Sequence, residues 1–220
     1  MTVKENLSYR QLQAQGTRER VAGAARRLFA ERGYVRTTVD AIGKAAGVAA
    51  PTVYKAFGNK KAILEEIRRL WIRDSEVRPL LAEAMAENDV RRRIELAARW
   101  HRQQLERGYA VITIHQEAAR ADPSVAEIWS QVLRGREREK KRFIEALANH
   151  LSHGLTVKTA TDLYIALERQ EIYAELVFDR GWSPEAYEAW LATTLKQQLL
   201  GEVRETKKRR RRQGPSQPRT

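Results

Sequence analysis

The chain contains no cysteine, which excludes disulfides, thiol nucleophiles and zinc sites built on thiolates. It has no uninterrupted apolar run near the ~20 residues needed to cross a bilayer. Its first fifteen residues, MTVKENLSYRQLQAQ, lack the apolar segment of a signal peptide, so a cytoplasmic location is expected. Nucleophile motifs and phosphate-cradling glycine loops are also missing. His150 and His153 stand three apart, but no acidic residue accompanies them and Gly154 marks a helix end. No metal, cofactor or enzymatic activity is expected.

What is present is charge, unevenly placed. Of a net +13, residues 1–16 carry +1, 17–65 carry +6, 66–203 carry −1 and 204–220 carry +7. Ten Lys/Arg against four Asp/Glu within 17–65 suggest a polyanionic partner. The composition is otherwise ordinary for a soluble globular protein, 42% apolar and 31% charged, and 220 residues suffice for one or two domains.

Periodicity predicts helices throughout, and the fold class is all-α with about nine helices. From Thr17, Val21, Ala24, Ala25, Leu28 and Phe29 form one helical stripe, ended by Gly33. A second helix starts after Thr37 or Thr38 as cap, carries Val39, Ile42, Ala45 and Ala46 inward, and stops at Gly47. Pro51 fits the first position of a short third helix with Val53 and Phe57 inward, closed by Gly58. Asn59 caps a longer fourth helix. Further helices are expected from Pro79 to Asn88, from Arg91 to Arg107, over GYAVITIHQEAARA, after Asp122–Pro123, over 160–178, and after Ser183–Pro184.

The second helix, the turn at Gly47–Val48 and the third helix have the spacing of a helix-turn-helix, whose second helix enters the major groove. The stretch ARRLFAERGYVRTTVDAIGKAAGVAAPTVYKAFGNKKAIL, with landmarks Phe29, Gly33, Thr37, Val39, Ile42, Gly47, Thr52, Tyr54, Phe57 and Lys60, resembles the DNA-binding domain of the TetR/AcrR family of bacterial transcriptional regulators. IHQEAARADPSVAEIW and LVFDRGWSPEAYEAWLATTL are also similar to one branch of that family. Residues 1–16 are expected to be a flexible arm. The resemblance implies a three-helix DNA-binding domain (17–64) with a fourth helix linking the domains from about residue 60, and an all-helical effector-binding and dimerisation domain (65–203). A disordered basic tail (204–220), KKRRRRQGPSQPRT at its core, follows.

The resemblance also places roles. Thr52 and Tyr54 would hold phosphates, as would Lys60 and the helix-two start at Thr37 and Thr38. Lys44 joins this backbone-facing set. Ala49, Ala50, Pro51 and Lys55 would face base edges, with Lys55 able to reach guanine or, equally, a phosphate. Departures from the family concern this edge: Ala49 stands where a capping serine is common, Ala56 where an aromatic or histidine is common, and Gly43 where alanine is usual.

In the second domain, Trp100, Tyr109, His115, Trp129, Tyr164 and Tyr173 are candidates for an effector pocket, although for each taken singly ordinary core or interface packing is the better reading. Tyr187, Trp190, Leu191, Leu195 and Leu199, with Leu163 and Leu167 on the preceding helix, form stripes that must be covered. Periodicity leaves two ways open, by the rest of the chain or by a second copy; the resemblance favours the dimer. The expected function is a dimeric repressor on a palindromic operator, released by a small-molecule effector and binding no membrane. The alternative is a largely nonspecific architectural DNA binder using the basic head and tail.

Overall fold

A computed structural model describes residues 8–74 and 77–200, and all regular structure among them is helical. The first helix, α1 (Tyr9–Arg32), starts eight residues before the expected Thr17. Ser8 and Gln11 form a reciprocal capping box there, so much of the stretch expected to be a flexible arm is helix. Residues 1–7 and the basic tail, 204–220, lie outside the described residues.

Helices α2 (Val39–Ala46) and α3 (Ala50–Phe57) follow as the spacing predicted, with Ala50 rather than Pro51 first in α3. Val21, Ala25, Phe29, Ile42, Val53 and Phe57 close a small core between α1, α2 and α3. Gly43 has a packing reason: a Cβ there would stand 2.9 Å from the Val48 carbonyl oxygen and 3.4 Å from Val53. Its absence of side chain lets the turn fold back over α2. Helix α4 (Lys60–Asp74), capped by Asn59 through the Ala62 N–H at 2.9 Å, buries Ile63, Leu64, Ile67 and Trp71.

The remainder forms a helical body: α5 (Val77–Ala86), α6 (Val90–Ala121), α7 (Pro123–Glu145), α8 (Val157–Leu167), the four-residue α9 (Gln170–Tyr173) and α10 (Pro184–Leu200). The helices expected over Arg91–Arg107 and from Gly108 onward are one continuous α6. Gly108 does not end it. A Cβ at this position would lie 2.3 Å from the Trp71 ring, so the glycine is the notch in which α4 crosses α6. Asp122 caps α7 and Ser183 caps α10, as their sequences predict.

The helix expected over 160–178 is broken. It starts earlier, at Val157 behind the Thr156 cap, and stops at Leu167. Glu168 then turns into the interior and Arg169 takes an extended conformation. The chain resumes as α9 and a wide turn over Ala174–Asp179. No glycine or proline marks this break, and the inward carboxylate replaces them as its cause.

The α10 stripe is covered by the chain itself. Tyr187, Leu191, Leu195 and Leu199 are each fully buried where α10 packs against α6 and α8. The Leu199 carbonyl accepts from the Ser152 N–H at 2.8 Å. These four therefore leave the expected dimer interface. Leu163, Leu167 and Trp190 are half-buried and remain at the surface of α8 and α10.

Candidate nucleic-acid interface and ligand cavity

Helix α3 has one inward pair, Val53 and Phe57, and presents the rest of its length outward. Ala49, Pro51, Thr52, Tyr54 and Lys55 are exposed, Tyr54 by 51%, and Ala50 is half-buried beside them. Lys44 projects from α2 and is also exposed. The N-cap residue, Ala49, makes no side-chain cap. At the other end, Arg18 holds the helix in place. Its guanidinium lies 4.2 Å from the centre of the Phe57 ring and donates to the Ala56 carbonyl, a cation at the negative end of the helix dipole. The same Arg18 pairs with Glu66 at 3.1 Å. Glu66 is 5% exposed, and the hydrogen bond from Arg69 holds its carboxyl below the usual range.

Arg18 and Glu66 were missing from the expected site. A signal existed for Glu66, which falls on the apolar stripe of α4 between Ile63 and Ile67. An acid on such a stripe needs a buried cation.

Two expected phosphate contacts are occupied elsewhere. The Thr37 hydroxyl is buried and shares its single proton between the Gly33 carbonyl at 2.8 Å and the Leu28 carbonyl at 3.2 Å. Thr38 is the cap of α2, accepting from the Ala41 N–H at 3.1 Å, and its side chain is exposed. The Lys60 ammonium turns away from solvent onto the α1–α2 loop. It donates to the carbonyls of Tyr34 (2.7 Å), Thr37 (3.1 Å) and Val35 (3.4 Å), and stands 4.2 Å from the centre of the Tyr34 ring. An ammonium has three protons and all three are used. Desolvation lowers the Lys60 pKa accordingly. Lys60 is a clamp on the loop preceding α2, and Thr37 is part of the core.

The head meets the body at the corner between α6 and α7. Glu117 accepts from the Tyr34 N–H at 3.0 Å, and Lys61 donates to the Ser124 hydroxyl at 3.2 Å.

Inside the body a cavity of about 300 Å³ opens between α4, α5, α6 and α7, walled by Trp71, Ile72, Leu81, Trp100, Trp129 and Arg136. A second space of about 270 Å³ shares Trp100, Trp129 and Arg136 and reaches His101, Lys140 and Glu168. Of the expected pocket residues, Trp100 and Trp129 line both. His115 lies behind Trp129, ring centres 5.0 Å apart, and its Nδ1 bonds the Val111 carbonyl at 2.7 Å. A carbonyl only accepts, so the proton is assigned to Nδ1. Burial lowers the His115 pKa.

Tyr164 is buried against Phe143, ring centres 5.3 Å apart, and burial with the nearby Glu168 carboxylate raises its pKa. Tyr109 and Tyr173 are not in the cavity. The wide turn after α9 gathers them with Phe178 and Tyr187 into a separate aromatic cluster, with centres 4.9 Å apart for Tyr109–Phe178 and Tyr173–Tyr187.

His101 stands 3.8 Å from Glu168, and Glu168 pairs with Lys140 at 3.0 Å. Burial outweighs the carboxylate and pushes the His101 pKa down to about 4, so the imidazole is neutral. Sequence patterning missed Trp71, His101, Arg136 and Glu168 because the cavity draws one or two residues from each of several helices. Among the described residues no group of three His, Asp or Glu could hold a metal ion, and no helix is long and apolar enough to cross a membrane.

A short exposed helix seated on a three-helix head, joined to a larger helical body, defines the class as helix-turn-helix proteins with an all-α second domain. Residues 23–67 match the family model of bacterial regulatory proteins of the tetR family, so the head is a TetR-family helix-turn-helix domain. No curated protein matches the chain. Among the solved structures that share the fold are three regulators. NalD of Pseudomonas aeruginosa, the secondary repressor of the MexAB-OprM multidrug efflux pump, is 20% identical with a TM-score of 0.68, covering 87% of this chain and 100% of that one. The fatty acid degradation regulator FadR of Bacillus halodurans is 21% identical with a TM-score of 0.65, covering 85% and 96%. FadR of Bacillus subtilis, solved in complex with stearoyl-CoA, is 19% identical with a TM-score of 0.65, covering 84% and 99%. At these identities the likeness is one of fold.

Proposed function

We propose that this protein is a dimeric, sequence-specific transcriptional repressor that leaves its operator when a small molecule enters the body. The observation that carries the reading is the exposed edge of α3, Ala49 to Lys55, within a segment that matches the TetR-family domain. Thr38, Lys44, Thr52 and Tyr54 hold the phosphates, and Ala49, Ala50, Pro51 and Lys55 meet the bases. The DNA-binding unit is residues 17–64 and the effector-binding and dimerisation unit residues 65–203. A two-fold dimer uses the outer surface of α8 and α10, where Leu163, Leu167 and Trp190 remain available, and reads a palindrome. Ligand complexes known for proteins of this fold, such as FadR with stearoyl-CoA, support an effector role for the cavity. The chain carries no catalytic role and requires no cofactor.

The test is to sequence the DNA fragments retained by the purified protein and then to measure affinities by gel shift. A palindromic site bound at least a hundredfold more tightly than random DNA is expected. Lys55→Ala relaxes discrimination at one position, whereas Tyr54→Phe weakens all sites alike. Equal affinity for random DNA would instead mean nonspecific architectural binding, a reading whose only support is the excess charge.

A further inference from the structure

We propose that the cavity between Trp71, Trp100 and Trp129 is a receptor for amphipathic organic anions, with a flat apolar body among the indole rings and its carboxylate or sulfonate on Arg136. The proposal rests on the effector reading above and supplies its ligand class.

Arg136 carries the argument. Its guanidinium sits 5.6 Å from the centre of the Trp71 ring and faces both halves of the cavity. No carboxylate pairs with it within 4 Å among the described residues. Glu139, one turn away on its own helix, lines the rim of the cavity and favours the charge from a distance, but it is exposed and makes no ion pair with Arg136. Desolvation lowers the Arg136 pKa, yet a guanidinium does not give up its proton in a protein. The cavity therefore holds a charge that burial disfavours and that no carboxylate among the described residues contacts directly. On the opposite wall Arg68 is answered by Glu65 at 3.1 Å.

Glu168 is already paired with Lys140 at 3.0 Å, and His101 beside it is neutral. Of the cations lining the two spaces, Arg68, Lys140 and Arg169 each hold a carboxylate within 4 Å, and Arg136 does not. A cationic ligand would meet Arg136 unscreened, and a neutral ligand would leave it unpaired in a drier cavity than before. An anion removes the imbalance, and arginine receives a carboxylate or sulfonate oxygen pair in its planar fork. The walls select the remainder of the ligand: three indoles with Ile72 and Leu81 favour a flat apolar body. A space of about 300 Å³ is at the small end of ligand pockets, suited to two or three rings.

The experiment uses the full chain and two probes that share one body, 8-anilinonaphthalene-1-sulfonate and the uncharged N-phenyl-1-naphthylamine. Fluorescence titration should give one sulfonate probe per chain, bound at least tenfold more tightly than the neutral probe. Arg136→Gln should abolish that preference while changing neutral-probe affinity less than twofold, and Arg136→Lys should keep most of it. Val132→Glu places a carboxylate one helical turn from Arg136 and should abolish the preference as well. It decides the matter if Arg136→Gln fails to fold by circular dichroism. Equal binding of the two probes, or a preference that survives both neutralising variants, overturns the proposal. So does tighter binding of 1-naphthylmethylammonium, which would make Glu168 the receptor. Operator affinity measured with the sulfonate probe separates the two readings. If the anion preference holds but DNA binding does not change, the cavity chemistry stands and the effector role fails.

Discussion

Head and body treat their buried polar atoms in opposite ways. In the head each one is saturated: Thr37 by two carbonyls, Lys60 by three, Glu66 by Arg18 and Arg69. From Trp71 onward, buried polar atoms stand without hydrogen-bond partners, among them the indole N–H groups of Trp71 and Trp100, Nε2 of His101 and His115, and the Tyr187 hydroxyl. Native interiors leave few such groups, and each needs a reason. A fully bonded head is suited to one rigid shape that a groove can recognise. A body with unmet hydrogen bonds clustered around a cavity is suited to receiving something that completes it.

The contrast can be broken at its seam. Gly108→Ala drives a methyl into the Trp71 ring, at 2.3 Å in the present geometry, and should cost about 3 kcal/mol of stability despite alanine's better helix propensity. Thermal or urea unfolding measures this, and an unchanged midpoint would remove the notch from the account.

Next in size is a pH effect confined to the body. His101 has a folded pKa of about 4 against roughly 6.5 unfolded. Acidification therefore protonates the unfolded chain first, so stability is full above the unfolded value and falls through the window from 6.5 to 4. Between about pH 7 and pH 5 the loss is about 2 kcal/mol. His101→Gln should flatten that part of the profile. An identical slope in the variant would show that other groups set it.

In the head, Lys60→Met removes three bonds to carbonyls and should cost about 1 to 2 kcal/mol. Operator affinity measured on the folded fraction should fall no more than about threefold, because the ammonium does not face the DNA-binding edge. A loss of charge-contact size, tenfold or more with a shallower salt dependence, would return Lys60 to the phosphate contacts. Smallest is Gly23→Ala in α1, where a Cβ meets nothing within 4 Å. It should stabilise by about 0.5 to 1 kcal/mol with no change in ligand affinity.

Much of the head was legible from its sequence because its signals are local. Thr38, Gly47, Pro51 and Gly58 each act within a few residues, and they fixed α2, the turn and α3 to within one position. The Lys60 clamp was not legible, since its carbonyl partners lie 23 to 26 residues away. In the body, periodicity found the α10 stripe but could not say what covers it, and α6 took Tyr187, Leu191, Leu195 and Leu199. The break at Glu168 was invisible because a buried ion pair with Lys140, rather than a turn residue, stops the helix there. Arg136 gave no signal either, as charged residues surround it along α7 and only packing separates it from them.

The glycine notch in α6 has a mechanical consequence. Where the Trp71 ring lies on the bare backbone of Gly108, a single indole separates two helices, and such a contact is a fulcrum. By the α-helical rise, α6 extends about 27 Å from that point toward Val90 and about 20 Å toward Ala121. Glu117, about 13 Å out on that arm, holds the Tyr34 backbone of the head, and a rotation of about 5° moves it by roughly 1 Å. That exceeds the roughly 0.5 Å slack of a hydrogen bond. A small tilt at the cavity is thus geared into making or breaking the grip on the head.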